Sequence, residues 1–378
     1  MAKSPPSQLD VLVLGEHPAS YFTATLLCQA GSVRVAHATI PNDGPADRLV
    51  LLNPALFTLH KLLEPLKKKL ELTPVYGVQF LSDDGQTRGE HRERAPVGYI
   101  ASYKDVRTAI AKIAAAEGVK CLNPKHVDVT DTDERGLRVA VGSDTLNPRA
   151  LVVSGTLPER GRRVIGVVDG FPRDVMRRYT FARLKGPKWA DTPAKPLMPM
   201  SLDLRGELTW AWMKYGKDEV QISVEQPLES IAKTPPEQLL QHWAGVLKRH
   251  GVLKSDALPA GAAHALDLPL AGALNHEGVA NRTLLIGPAG GFYSACGEDI
   301  YPNCWSAIFA ADALKKALKE PHLQDALQPY RQKWGATLGD YLRGPQQNLR
   351  FLLPLVYRNP VMTSRMAEAI LHGKSVIR

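Results

Sequence analysis

Asp10-Val11-Leu12-Val13-Leu14 leads directly into Gly15-Glu16-His17-Pro18-Ala19-Ser20 and then into the alanine- and leucine-rich run Tyr21 to Ala30. A short β-branched apolar run, a tight turn and a longer mixed run spell strand, turn, helix. Gly31 ends that helix, and Val33 to Ala38 supplies a second strand, which completes one βαβ unit close to the start of the chain. Such a turn holds a dinucleotide when its glycines allow a tight bend, close approach of a pyrophosphate and free helix N-terminal N–H groups. Here Gly15 is retained, while His17 and Ser20 stand at the second and third glycine positions around Pro18 and Ala19. At the end of the second strand, where an acid would accept ribose hydroxyls, the chain has His37. Two readings follow from the residues: His17 and His37 contact a ligand displaced outward, or the turn is a plain strand-helix turn and His37 a strand-end surface residue.

Outward from this unit, Arg48 to Leu72 reads as a helical connection, and Val75 to Leu81 and His91 to Tyr99 as extended. The spacing predicts a helix over Lys104 to Glu117, then strands at Lys120 to Leu122, Val127 to Thr130, Leu137 to Val141 and Ala150 to Val153. Between Gly166 and Glu225 strand patterns dominate, including Tyr179 to Leu184 and Leu208 to Lys214. Pro235 to His250 reads as a helix, and the chain beyond Pro321 is helical in pattern. The fold class expected is α/β: a Rossmann-like first domain from 1–165 with 276–320, a second sheet-based lobe over 166–275, and a helical region over 321–378.

Near the other end, Thr283-Leu-Leu-Ile-Gly287-Pro288-Ala289-Gly290-Gly291-Phe292 runs into Gly297-Glu298-Asp299-Ile300 and then an alanine-rich helix. This order resembles the C-terminal flavin motif of the geranylgeranyl reductase and aromatic hydroxylase superfamily, a strand followed by GDAAGF, a loop, and GEGI opening a helix. The segment Leu208 to Val224 is similar to the superfamily's aromatic-rich substrate-lobe strand. The resemblance implies a Rossmann-like FAD-binding domain, FAD as cofactor with NAD(P)H as a transient reductant, and a hydrophobic isoprenoid or aromatic substrate reduced or hydroxylated near Trp210, Trp212 and Tyr215. It also implies close backbone approach of the flavin at Gly291, with Gly15, His17, Pro18, Ala19, Ser20, His37, Gly287, Pro288, Ala289, Gly290, Gly291, Gly297, Glu298, Asp299 and Ile300 as the positions around the cofactor.

The departures from that pattern are chemical. Pro288 stands for the aspartate that binds the ribityl chain and offers no side-chain acceptor or N–H. Tyr103 replaces an arginine, Thr156-Leu157 an Asp-Gly pair, and Asp299 the last glycine of GEG. Five or six lost hydrogen bonds amount to on the order of 5 kcal/mol, enough to turn a nanomolar cofactor into a micromolar one. Two further readings therefore stand beside the oxidoreductase: a flavoprotein scaffold that has lost FAD and binds a ligand, and a non-redox enzyme using Glu298 or Asp299 for acid-base catalysis.

Composition narrows the partners. With 378 residues, two lobes are natural, and 44% hydrophobic against 22% charged content is that of a globular chain. Cys28, Cys121, Cys296 and Cys304 lack CxxC or nearby histidine spacing, so no metal site is expected, and buried thiols are read ahead of a Cys296–Cys304 redox pair. The net charge of +9 is spread widely; Arg160 to Arg163 and Arg173 to Lys188 match no nucleic-acid module, so nucleic acid is not an expected partner. Met1 to Gln8 has no apolar h-region, which predicts a cytoplasmic protein. Any membrane contact would be peripheral, through the apolar stretch Phe351 to Tyr357 beside Arg350 and Arg358.

Overall fold

The computed structural model describes residues 9–40, 47–167, 170–273, 278–295, 297–342 and 349–376. Cys296, the boundary near residue 276 and Met1 to Gln8 lie outside the described residues.

The predicted βαβ unit is present as the strand Leu9–Leu14, the helix Pro18–Cys28 and the strand Val35–Ala38. Proline at the first helical position and His17 as N-cap start the helix where the sequence indicates. Nearly every helical residue is buried, and the hydroxyls of Thr23 and Thr25 donate to the carbonyls of Ala19 and Tyr21 one turn back. These strands belong to a six-stranded sheet in the spatial order Val279–Ala280, Thr283–Leu285, Pro148–Val153, Leu9–Leu14, Val35–Ala38, Lys120–Leu122, parallel except for the first. Strand order reverses between Leu9–Leu14 and Pro148–Val153, the switch point at which such sheets place ligands. The helix Ile300–Ala317 packs beside the first helix in one apolar core.

A seven-stranded, mostly antiparallel sheet forms the second layer: Ala263–Pro269, Met176–Lys185, Glu219–Pro227, Glu207–Tyr215, Met198–Leu204, Gly77–Leu81, Arg88–Arg92. Two sequence expectations change here. Gly77–Leu81 and Arg88–Arg92, placed in the first domain by sequence order, are hydrogen-bonded into the second sheet, because Gly77–Leu81 pairs in parallel with Met198–Leu204. Arg48 to Leu72 is not one helix. Leu49–Leu52 is a fully buried strand paired with Gly98–Ser102, followed by one-turn helices at Leu56–Leu59 and Leu66–Lys69. A run buried on both sides lacks alternation and cannot be told from a helix by period alone.

After the Ile300 helix come a short helix, Leu323–Leu327, and the helix Pro329–Leu342, whose Trp334 meets Phe292 in the first core. Leu349–Arg358 and Pro360–His372 instead cover the second sheet. Cys304 is buried, Cys28 half-buried and Cys121 exposed. Among the described residues no helix is long and apolar enough to cross a membrane, and no cluster of three or more His, Cys, Asp or Glu side chains could hold a metal ion.

Candidate functional site

The two helix N-termini that face the switch point meet through side chains. His17 Nδ1 accepts the Ala19 N–H at 3.1 Å. In a neutral imidazole the proton is then on Nε2, which lies 3.5 Å from Asp299 Oδ2. Arg48 Nη2 donates to the same oxygen at 2.9 Å, and its guanidinium lies 4.1 Å over the Tyr103 ring. His17, Asp299, Arg48 and Tyr103 are 3%, 1%, 6% and 3% exposed, so water does not screen the cluster. Burial holds His17 below the ordinary histidine range, against the opposing pull of Asp299. Burial would raise Asp299, but Arg48, and after it His17, outweigh that and keep it ionised.

His37 is fully buried, not at the surface. Its Nε2–H donates to the Gly15 carbonyl at 2.9 Å, Ser20 Oγ lies 3.1 Å away, and its ring lies tilted against Tyr21 with centroids 4.1 Å apart. Burial pushes its pKa down to about 4, which keeps it neutral. With Nε2 donating inward to Gly15, the ring's acceptor is Nδ1, which is buried and has no hydrogen-bond partner among the described residues.

Glu298 and Asp299, the acid-base candidates from sequence, are both buried just before the helix Ile300–Ala317. Glu298 is 1% exposed; its Oε1 accepts the Tyr301 N–H at 2.7 Å and its Oε2 meets Tyr341 Oη at 3.1 Å. This caps the helix that Ile300 opens, and the Ile300 side chain belongs to the first core.

Measured against a dinucleotide, these residues do not fit. In the first turn Pro18 has no N–H, Ala19 gives its N–H to His17 Nδ1, and Ser20 gives its N–H to the His17 carbonyl at 2.9 Å. None of these is left for a phosphate. A chain passing between His17 and Asp299 would need two van der Waals separations, about 7 Å, where the structure has 3.5 Å. The glycines also have protein neighbours. A Cβ on Gly15 would stand 2.1 Å from Ser154 Oγ, on Gly290 2.2 Å from the Phe292 ring, and on Gly291 2.4 Å from the Ala273 carbonyl. Gly291, at φ +77°, is thus required by packing with or without a flavin, and a bulky residue there would report on folding alone.

What remains open lies on either side. One cavity is walled by Tyr179, Trp210, Trp212, Lys214, Glu225 and Tyr293, and Arg48 and Gly297 also line it. A second, more apolar one runs past Gly155, Thr156, Arg162, Phe171, Pro288 and Ala289 along the ends of the parallel strands. Leu268, Pro269 and Tyr293 border both.

Trp210 and Trp212 both line the first cavity, and Trp212 stacks on Tyr179 with centroids 5.5 Å apart. Tyr215 does not. Side chains alternate along a strand, so 210, 212 and 214 share one face while Tyr215 points to the opposite face, into the core under the helix Pro236–Arg249. Sequence reading missed Arg48, Tyr179, Lys214 and Glu225. The parity of Lys214 with the two tryptophans was available; Arg48, read as the start of a helix, carried no usable signal. Glu225 is half-buried, makes no side-chain hydrogen bond among the described residues, and lies directly across from both Tyr179 and Trp210. Burial pushes its pKa up to about 7, with Arg177 opposing.

The architecture is the FAD-binding fold of flavin-dependent halogenases, hydroxylases and geranylgeranyl reductase-like proteins. The flavin-dependent brominase Bmp2 superposes with a TM-score of 0.71 at 18% identity, over 97% of this chain and 94% of that one. A geranylgeranyl bacteriochlorophyll reductase-like protein from Thermoplasma acidophilum gives 0.69 at 13% identity, over 98% and 93%. PqsL, a probable FAD-dependent monooxygenase from Pseudomonas aeruginosa, gives 0.66 at 17% identity, over 94% and 98%. No protein-family model matches the chain, and no curated protein matches it in sequence.

Proposed function

We propose that this chain uses the flavoprotein scaffold without a bound dinucleotide, as a protein that takes a hydrophobic small molecule into the cavity between Trp210, Trp212 and Tyr179. The observation that carries this reading is the His17–Asp299–Arg48 cluster, which fills the passage a pyrophosphate would follow while the tryptophan cavity stays open. Aromatic walls with a few polar groups suit a largely apolar ligand. Glu225, titrating near neutrality inside that cavity, is the group to hold or release a proton there, in place of Glu298 or Asp299.

The second reading is an FAD-dependent oxidoreductase of an isoprenoid or aromatic substrate, reduced transiently by NAD(P)H. Its support is the shared fold and the order of the C-terminal loop and helix. It requires His17 and Asp299 to part.

One experiment separates the two. The purified protein is expected to be colourless, to release no flavin on denaturation, and to melt at the same temperature with or without excess FAD. A cofactor present at about a hundredfold its Kd would add about 2.7 kcal/mol of stability, so a raised melting temperature or a yellow protein would establish the oxidoreductase reading instead.

A further inference from the structure

Among the described residues, the large hydrophobic side chains left exposed are Phe351 at 81%, Leu355 at 46% and Val361 at 61%. All three lie on one short stretch. The helix Leu349–Arg358 buries Leu349, Leu353, Val356 and Tyr357 against the second sheet and turns Phe351, Pro354 and Leu355 outward. Phe351 and Leu355 are one turn apart on the same face. Val361 follows in the first turn of the helix Pro360–His372, where Asn359 Oδ1 accepts the N–H groups of Val361 and Met362 and fixes the corner.

Arg350, Arg358 and Arg365 are exposed on the same two helices. The acids identified beside them are Glu207, 3.2 Å from Arg350 in an exposed pair, and Asp84 near Arg358. Three side chains amount to a few hundred Å², well short of the roughly 1,200 Å² that a specific protein interface buries. A second copy of the chain is therefore a poor occupant. Apolar tips set among guanidinium groups suit the boundary of a bilayer instead, with rings and aliphatic groups below the headgroups and arginines at the phosphates.

We propose that this face docks on a bilayer carrying anionic lipid, inserting Phe351, Leu355 and Val361 at headgroup depth. Leu349, the first residue of the same helix, lines the tryptophan cavity.

The test is sedimentation of the full chain with vesicles of equal phosphatidylcholine and phosphatidylglycerol, and with phosphatidylcholine alone. The expected result is co-sedimentation with the anionic mixture that weakens as salt is raised. Phe351→Ser with Leu355→Ser should reduce it about tenfold or more, and Arg350→Glu with Arg358→Glu should remove the preference for anionic vesicles. All four side chains are exposed, so unchanged melting curves are expected to show that the variants fold. Wild-type protein that stays in the supernatant overturns the proposal, as does serine-variant binding equal to wild type. Light scattering that shows a dimer lost in the serine variant, without vesicle binding, would assign the face to a second copy.

Discussion

Asp299→Ala is expected to cost about 3–5 kcal/mol of folding stability, the usual penalty for leaving one partner of a buried ion pair uncompensated. Arg48 is 6% exposed, its Nη2 donates to Asp299 at 2.9 Å, and its Nη1 has no hydrogen-bond partner among the described residues. Removing the carboxylate leaves a buried guanidinium with the Tyr103 ring beneath it as its remaining compensation. The measurement is chemical denaturation, in which the midpoint should fall while the slope stays constant. Arg48→Met combined with Asp299→Leu is expected to recover most of the loss, since it removes both charges and keeps apolar volume. A single variant as stable as wild type, or a double variant less stable than the single one, would mean that this cluster does not hold the two helix N-termini together.

Glu298→Gln is expected to stabilise the protein at alkaline pH and to do little in acid. Burial, with Asp299 adding to it, raises the Glu298 pKa from 4.5 to about 8. Its protonated form keeps the contacts to the Tyr301 N–H and Tyr341 Oη, and glutamine can make both. Between pH 4.5 and about 8 the unfolded chain binds fewer protons than the folded one at this site. Stability therefore falls with rising pH through that window, by at most about 1.4 kcal/mol per unit, and levels off above it. Glu225 adds a slope of the same sign up to about pH 7. Asp299 acts oppositely, its contribution being lost as pH falls below the ordinary 3.8. At pH 8 the glutamine variant should exceed wild type by on the order of 4 kcal/mol and show a flatter pH profile, read from denaturation midpoints at pH 5 and pH 8. Parallel profiles for the two proteins would show that Glu298 ionises freely in the fold.

Glu298 and Asp299 both lie at the N-terminus of one helix. Glu298 caps the helix that Ile300 opens, and Asp299 places a carboxylate at the same N-terminus, where the helix dipole favours negative charge. The protein thus supplies its own anion, and binds it with Arg48 from a buried strand edge and His17 from the opposite helix. A bound phosphate would have to displace a charge already neutralised in a dry site, which is why the substitutions act as a unit and not as separate lost hydrogen bonds.

Local chemistry determined what was legible in the sequence. The β-branched run at Val11 to Val13, Pro18 at a helix start, Gly15 at φ +125° and the glycine-rich loop before the helix Ile300–Ala317 each act within a few residues, so strand, turn and helix could be read there without the rest of the chain. Trp210 and Trp212 share a strand face, and both line one cavity; Tyr215, grouped with them through the resemblance, has the opposite parity and faces the core. The tertiary structure decided whether that scaffold is open. Arg48 meets Asp299 across 251 positions of sequence, and His37 meets the Gly15 carbonyl across 22. A histidine in a turn or at a strand end has the same sequence signature whether it faces a ligand, solvent or its own backbone. The difference lies in what the fold packs against it: burial fixes its charge, and the nearest carbonyl or carboxylate fixes its hydrogen bond.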